Sequence, residues 1–178
     1  CRHPEAAAEL ATLASNHPAR LRVLALDVSS EVSVTQAGKS LREYEQRLHL
    51  VMNAAGVLHE DGRLRPERRL EDLRESALQR IFAVNAIGPM LLAHQAVPLM
   101  LHGQPCAFTS LSARVGSISD NRLGGWYGYR ASKAAQNQFI RTLGVEMARR
   151  APLMRVLALH PGTVDTQLSK PFQAGVAA

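Results

Sequence analysis

The sequence predicts an α/β fold of the Rossmann type, a doubly wound parallel sheet with helices packed on both faces. Four short aliphatic runs alternate with longer segments in which apolar residues recur at helical intervals. The aliphatic runs are almost continuously apolar, which is typical of parallel strands buried on both faces. The predicted strands cover residues 21–26, 48–52, 106–110 and 154–159.

Helical patterns fill the segments between these strands. The predicted helices cover residues 4–16 and 30–48, a longer segment that begins near Leu70, and residues 127–150. A strand, a helix and a parallel strand in succession predict right-handed βαβ units. Because no linker or internal repeat divides the chain, we expect a single domain over residues 1–178.

Composition and charge favour a globular protein without a nucleic-acid partner. Apolar residues make up 46% of the chain and charged residues 20%, which excludes a disordered or fibrous protein. The formal net charge is +6, but the basic run at residues 63–74 is interleaved with Glu67, Glu71 and Asp72. A nucleic-acid interface needs clustered charge, so this run is interpreted as a solvated surface.

Cysteine usage and hydropathy indicate the compartment. Cys1 and Cys106 lack CxxC spacing and cannot form a disulfide framework, so both are predicted to be free thiols. The longest apolar stretch, residues 81–93, is interrupted by polar, glycine and proline residues and is shorter than a membrane span. No secretory signal pattern opens the chain. We therefore expect a cytoplasmic protein with no membrane partner.

Polar residues follow each predicted strand at its carboxyl end. They are Asp27, Asn53, Ser110 with Ser112, and His160. In open α/β sheets, ligands bind in the crevice beyond these ends. One such residue is explained by a turn, whereas four in succession predict a binding site.

Tyr129 and Lys133 lie four residues apart at the start of the last predicted helix, so they share one face. An ammonium beside a phenol favours the phenolate and lowers the pKa of the tyrosine from about 10. Tyr129 would then exchange a proton near neutral pH. The same spacing also arises by chance on helix surfaces. Without further evidence, the spacing favours a chance pair over a functional one.

Two asparagines leave alternatives open. Asn85 interrupts an apolar helical stripe, where it either stabilises a helix kink or holds an ordered water within a site. Asn53, Ala54, Ala55 and Gly56 end a buried strand with small side chains. This segment fits either a plain turn or a backbone that a flat ligand approaches closely.

Taken together and in order, these residues resemble the short-chain dehydrogenases/reductases. Tyr129 to Lys133 read YRASK and match the family motif YxxxK. The other matching segments are Leu26-Asp27-Val28, Asn53-Ala54-Ala55-Gly56, Val84-Asn85, a serine-rich strand end, and Pro161-Gly162 followed by Thr163 to Thr166. Each motif is weak alone, and the resemblance rests on their joint order. Residues 116–127 look most like the C-factor and sniffer-type carbonyl reductases.

The resemblance implies an oxidoreductase that reduces an aldehyde or ketone to an alcohol. Tyr129 would protonate the carbonyl oxygen as hydride arrives. Lys133 would lower the pKa of Tyr129 and bind the nicotinamide ribose, and Asn85 would hold the water of a proton relay. The family's catalytic serine corresponds to Ala113, so Ser112 is the predicted substitute. Ser117 is the alternative, because a one-residue slip turns a strand side chain to the opposite face unless a bulge restores it.

The resemblance also implies a dinucleotide site. Asp27 would meet the adenine edge, with the main chain of Val28 beside it. Asn53, Ala54, Ala55 and Gly56 would line the adenosine ribose, and Tyr129 and Lys133 would lie at the nicotinamide end. Pro161, Gly162, Thr163 and Val164 would pack on the nicotinamide, with Thr166 near the carboxamide or the phosphates. Arg2 falls where a strand-end arginine of the family faces an adenosine 2′-phosphate. Since arginine binds phosphate with two parallel hydrogen bonds, NADP(H) is favoured over NAD(H).

The glycine-rich TGxxxGxG loop of the family is not found among the twelve glycines. In the family's strand order, 3-2-1-4-5-6-7, the four predicted strands match 3, 4, 5 and 6, so the first has no neighbour. The expectation is an internal piece of a longer reductase, a homodimer or homotetramer in its full-length form.

Other functions remain as alternatives or are excluded. The departure at Ala113 motivates a catalytically silent cofactor-binding or cell-signalling protein on the same scaffold. The sequence contains no GxSxG elbow, no P-loop and no HExxH motif, so hydrolase, NTPase and metal chemistry are not predicted.

Overall fold

The structure is a computed structural model that describes residues 1–60, 62–162 and 164–172. It contains a parallel three-stranded sheet, in which β1 (Leu50–Asn53), β2 (Cys106–Leu111) and β3 (Met154–Leu159) lie in that order. Both strand pairs are parallel. With helices between the strands, this arrangement confirms the predicted Rossmann-like fold class, and the bounds of β3 are those that the sequence predicted.

Five α-helices accompany the sheet in the described residues. They are α1 (Ala8–Asn16), α2 (Glu31–Tyr44), α3 (Glu75–Phe82), α4 (Gly88–Ala96) and α5 (Tyr127–Arg150). Ser30 caps α2, and its hydroxyl oxygen accepts a hydrogen bond from Ser33 N. Short 3₁₀ turns, Pro4–Ala6 and Leu70–Asp72, precede α1 and α3. Every predicted helical segment therefore contains an α-helix, although α1 begins at Ala8 and α2 ends at Tyr44, and α5 has its predicted bounds.

The first predicted strand is wrong. Residues 21–26 are not part of the sheet, and the main chain from Arg22 to Leu26 makes only two hydrogen bonds with other described main-chain groups. Cys1 N donates to Leu24 O, and Leu26 N donates to Cys1 O. A strand is stabilised by hydrogen bonds to a neighbouring strand along its length, and in the described residues these two bonds to Cys1 are all that residues 22–26 make in their place.

One hydrophobic cluster joins the sheet to α4 and α5. We call it the sheet cluster; its buried residues are Ala93, Val97, Met100, Cys106, Phe108, Ile140, Met147 and Met154. Phe108, in the central strand, is fully buried. On the opposite face of the sheet, Leu50, Met52 and Leu157 are exposed in the described structure. Burial is therefore concentrated on the face that α5 covers.

A second cluster lies beyond the strand ends. We call it the site cluster; it consists of Val57, Leu58, Leu64, Ala77, Ile81, Val84 and Tyr129. It brings the loop after β1, the helix α3 and the start of α5 together. The first turn of α5 is thereby attached to the loop that follows the sheet.

The helical run Glu75–Met100 is long and apolar enough to cross a membrane by length and composition alone. The apolar stretch identified from the sequence, residues 81–93, therefore underestimated the length of this run. Half of its most apolar window is buried within the protein. Its residues contribute to both clusters, which is how a core helix behaves. The run is not one α-helix, because a π-helical segment, Ala83–Ile87, separates α3 from α4.

Candidate active site

The carboxyl ends of β1 and β2 form the floor of the site. Asn53 and Ser110 pair in register, and Asn53 Nδ2 donates a hydrogen bond of 2.8 Å to Ser110 Oγ. Asn53 Oδ1 accepts from Ala55 N at 3.3 Å, which turns the chain out of β1. Both side chains are buried. The predicted meeting of strand-end residues is confirmed for this pair.

Helix α5 places Lys133 over the end of β2. Lys133 Nζ donates to the carbonyl oxygen of Leu111 at 2.8 Å and to Gln136 Oε1 at 2.9 Å. Gln136 Nε2 donates to Ser110 Oγ at 2.6 Å. The sequence analysis missed Gln136. Its position three residues after Lys133, on the same helical face, is the signal that indicates a shared environment.

Burial dominates the protonation of the Tyr–Lys pair. Removal from water lowers the pKa of Lys133 from its ordinary 10.5 to about 8. Burial also raises the pKa of Tyr129, opposite to the expected direction. The expectation was wrong because the ammonium lies 5.9 Å from the centre of the Tyr129 ring and directs two hydrogen bonds to Leu111 and Gln136. Both of these hydrogen bonds go to neutral acceptors, and neither goes to the phenol oxygen.

The ring of Tyr129 is held within the site cluster. Trp126 meets it edge to face, with ring centres 6.1 Å apart. The Tyr129 hydroxyl has no hydrogen-bond partner among the described residues, and no fully buried side-chain polar atom among them lacks one. The hydroxyl therefore keeps some contact with solvent.

Asn85 lies in the π-helical segment and is fully buried. Its Oδ1 accepts from Val57 N, and its Nδ2 donates to Val57 O, each at 2.8 Å. Nδ2 also donates to Ser132 Oγ at 3.1 Å. The amide therefore ties the interrupted helix to the loop after β1 and to α5, as the kink interpretation requires. Water binding by Asn85 stays a prediction.

Neither candidate serine faces Tyr129. Ser112 Oγ donates to Asn137 Oδ1 at 2.6 Å, two helical turns beyond Tyr129 on α5. Ser117 Oγ lies 3.4 Å from Ser119 Oγ, in the exposed loop before α5. In this structure neither hydroxyl has a contact with Tyr129, and the substitution of a neighbouring serine for the missing one stays a prediction. Strand alternation directs Ser112 away, whereas Ala113 packs against the site cluster.

A cleft of about 530 Å³ opens at the carboxyl end of β1 and reaches Gly56, which lies near Lys133. The predicted cofactor residues that line it are Arg2, Asp27, Val28, Asn53, Ala54, Ala55 and Gly56. Gly56 connects the cleft to the pair, because a Cβ placed on it would lie 3.9 Å from Lys133 Nζ. Gly88 lets α4 approach Val28, where a Cβ would come within 2.9 Å of Val28 O. The structure thus brings these seven residues and Lys133 together.

Asp27, another residue that lines the cleft, is held by a polar network. Ser29 Oγ donates to Asp27 Oδ1 at 2.6 Å, and Arg80 Nη1 donates to Ser29 Oγ at 3.0 Å. Arg80 also forms a forked ion pair with Glu60. The hydrogen bond from Ser29 lowers the pKa of Asp27, with help from Arg80 and Arg2. Asp27 is therefore an ionised acceptor in the cleft.

The residues predicted from the motif after β3 do not line the cleft. Pro161, Gly162, Val164 and Thr166 are exposed and do not line it, and Thr163 lies outside the described residues. Their packing on a nicotinamide stays a prediction. Gln167 and Leu168 line the cleft instead, which the sequence did not indicate. The described residues contain no cluster of three or more side chains suited to a metal ion.

Comparison with known proteins decides the family. A family model of the short chain dehydrogenases matches residues 1–177. The chain belongs to the short-chain dehydrogenase family. It is 33% identical over 147 residues to the 1-hydroxy-2-glutathionyl-2-methyl-3-butene dehydrogenase of a Rhodococcus species, covering 83% of this chain and 60% of that protein. It is 34% identical over 102 residues to the C-signal of Myxococcus xanthus, covering 57% and 60% respectively.

Solved structures of the family agree with the architecture. The carbonyl reductase Sniffer of D. melanogaster superposes with a TM-score of 0.82 at 28% identity, covering 94% of this chain and 69% of that one. The NADPH-bound carbonyl reductase from chicken fatty liver superposes at 0.79 and 26%, covering 94% and 68%. The resemblance inferred from the motifs is confirmed. The chain spans about 60% of the length of the two curated relatives named above.

Proposed function

We propose that the protein is an NADP(H)-dependent reductase that converts an aldehyde or ketone to an alcohol. The observation that carries the proposal is the position of Tyr129 and Lys133, on one face of α5, next to the cleft that Gly56 links to Lys133. Membership of the short-chain dehydrogenase family, whose members bind NAD(P), supports it. So does the structural similarity to two carbonyl reductases, one of them with NADPH bound.

The residues of the cleft fit the adenosine end of a dinucleotide. Leu26, Val28 and Ala54 provide an apolar wall, and the ionised Asp27 provides an acceptor for an amino group. Arg2, which also lines the cleft, supplies the cation that a 2′-phosphate requires. The family's glycine-rich loop, which holds the pyrophosphate, is not in this sequence. The fit therefore concerns the adenosine.

The chemistry divides between the cofactor and the chain. When bound, the cofactor supplies hydride to the carbonyl carbon. Tyr129 donates its hydroxyl proton to the carbonyl oxygen, so that a C–H and an O–H bond form and the alcohol leaves a phenolate behind. Lys133, as an ammonium, stabilises that phenolate and binds the ribose hydroxyls. The buried setting of both residues strengthens this electrostatic stabilisation.

The test is carbonyl reduction by the whole protein, followed as loss of NADPH absorbance over a panel of aldehydes and ketones. NADH is run in parallel to measure cofactor preference. We expect Tyr129→Phe to lower kcat by roughly a hundredfold or more, because the proton donor is removed. Tyr127→Phe is the matched control, since Tyr127 lies two residues earlier and is 42% exposed. Unchanged turnover in Tyr129→Phe would exclude the mechanism.

A second candidate is a catalytically silent cofactor-binding or signalling protein. Ala113, at the serine position of the motif, favours it, as does the similarity to the C-signal of Myxococcus xanthus. This candidate predicts saturable NADPH binding with no oxidation on any carbonyl. Multiple turnover on a single substrate excludes it.

Location and assembly follow as proposals from the same evidence. Cys1 and Cys106 are free thiols, in agreement with the predicted reducing compartment, and we propose the cytoplasm. The proposed partner is a small carbonyl or alcohol, with no nucleic acid and no membrane. A homodimer or homotetramer is proposed for the full-length form, and light scattering of the whole protein measures it.

A further inference from the structure

Gln136 is a fully buried amide that the proposed chemistry does not use. It lies on α5, one turn after Lys133, with no exposed surface. Both ends of its amide are hydrogen bonded within the protein. Oε1 accepts from Lys133 Nζ at 2.9 Å, and Nε2 donates to Ser110 Oγ at 2.6 Å and to Leu111 O at 3.1 Å. A buried amide with every group engaged has a defined orientation.

The hydrogen bonds of Gln136 belong to a longer chain of contacts. Ser110 Oγ also accepts from Asn53 Nδ2 at 2.8 Å, and Asn53 lines the cofactor cleft. The chain therefore runs from the cleft wall through Ser110 and Gln136 to the Lys133 ammonium. Each of the four side chains is buried. Low dielectric strengthens such a chain and makes any unpaired member costly.

The ammonium of Lys133 has three N–H groups. Leu111 O and Gln136 Oε1 occupy two of them, at 2.8 and 2.9 Å. Gly56 lies nearby, where a Cβ would be 3.9 Å from Nζ, so the third N–H has room toward the cleft. Among the described residues, the titratable side chain that faces Lys133 is Tyr129; the other neighbours named here are neutral. Gln136 is thus the side-chain acceptor that fixes where the charge lies.

We propose that Gln136 is a positioning residue that holds the Lys133 ammonium at the end of β2, oriented toward the cofactor cleft and linked to it through Ser110 and Asn53. The expected effect of Gln136 on catalysis rests on the proposed function. The positioning of Lys133 by Gln136 does not rest on it, because the hydrogen bonds to Lys133 are made by this chain alone. Gln136 touches neither substrate nor reacting atoms and acts through Lys133.

Two substitutions at this position act on Lys133 in opposite directions. Gln136→Leu removes the acceptor, so the buried ammonium loses a stabilising hydrogen bond and Lys133 releases its proton at lower pH. Gln136→Glu keeps an acceptor and adds a negative charge, so Lys133 holds its proton to higher pH. We expect each variant to shift the lysine titration by about one pH unit. A side chain that only fills space beside Lys133 would not lower the lysine titration when its amide is replaced in Gln136→Leu.

The experiment follows the Cε resonance of Lys133 against pH by NMR in the whole protein labelled with ¹³C-lysine. The signal that disappears in Lys133→Arg identifies the residue. Gln138→Leu is the matched control, because Gln138 is exposed on the same helix and contacts Thr142 at 3.4 Å. We expect the control to titrate as the unsubstituted protein does. The alkaline limb of kcat against pH is expected to move with the lysine titration in each variant.

Lysine titrations that are the same in Gln136→Leu, Gln136→Glu and the unsubstituted protein overturn the proposal. If Gln136→Leu does not fold, Gln136→Glu decides alone, and a titration at or below the unsubstituted value counts against the inference. Absence of carbonyl turnover in the unsubstituted protein contradicts the proposed function instead. The NMR titration then still decides the role of Gln136, so the two failures are distinguishable.

Discussion

Ala113 lies against the site cluster that contains Tyr129, at the place where the family motif has a serine. Its neighbour Ser112 directs its hydroxyl to Asn137. A hydroxyl on the Tyr129 side of this strand end would donate to a carbonyl oxygen and stabilise the charge that develops there. The chain thus combines a buried Tyr–Lys pair with a methyl group in the serine position.

We therefore expect Ala113→Ser to raise kcat for carbonyl reduction by roughly tenfold or more, because it adds a hydrogen-bond donor to the oxyanion. Ser112→Ala is the matched control and is expected to leave kcat unchanged. The measurement is NADPH oxidation at saturating substrate. A loss of activity in Ser112→Ala, with no gain in Ala113→Ser, would show that Ser112 reaches the substrate after a rearrangement.

Helix α5 is the element that positions the site, and its start is held by a residue from far along the chain. Glu67 is buried and accepts a hydrogen bond from Gly128 N at 3.2 Å. Its carbonyl oxygen accepts from Trp126 N at 2.5 Å. Trp126 has a positive φ of 51°, a strained conformation for a bulky residue. A carboxylate at the first turn complements the helix dipole and accepts from the Gly128 N–H, which has no acceptor within the helix.

We expect Glu67→Ala to lower the free energy of unfolding by about 1–3 kcal/mol, because a buried N–H of α5 loses its acceptor. Glu67→Gln retains a neutral acceptor and is expected to lose less. Glu71→Ala is the control, since Glu71 is exposed and forms an ion pair with Arg69 at 3.9 Å. Urea denaturation measures all three variants. Equal stability of Glu67→Ala and Glu71→Ala would contradict this role of Glu67.

At the scale of the whole molecule, the buried Lys133 ammonium is a cost that folding must offset. Its pKa in the folded protein is about 8, against 10.5 ordinarily, because burial disfavours the charged form. Between these two values the unfolded chain binds more protons than the folded chain. The contribution of Lys133 to the free energy of unfolding therefore rises with pH across this window.

We expect Lys133→Met to remove this rise. Relative to the variant, the unsubstituted protein should gain about 3 kcal/mol of unfolding free energy as Lys133 deprotonates, the amount that corresponds to its pKa shift. Urea denaturation at a series of pH values across the window measures the difference, and Lys39→Met provides the control. Parallel curves for Lys133→Met and the unsubstituted protein would show that the ammonium is solvated.

Features that depend on residues close together in the sequence were predictable, whereas features that depend on distant residues were not. Local patterns predicted α5 and β3 with their bounds, and the motif residues Asn53, Tyr129 and Lys133 were identified from type and order. Periodicity also predicted a strand at residues 21–26, which the structure does not contain. This prediction failed because aliphatic character indicates burial, whereas a strand also needs a second strand alongside it to pair with.

The sequence by itself determined the family, the alternation of strands and helices, and the side-chain types at the strand ends. It did so because motif spacing and hydrophobic period are local properties of the chain. Only the tertiary structure decided that Ser112 turns to Asn137, that Gln136 holds Lys133, and that burial raises the pKa of Tyr129. Those outcomes depend on neighbours far apart in sequence and on the exclusion of water, which arise when α5 packs over the end of β2.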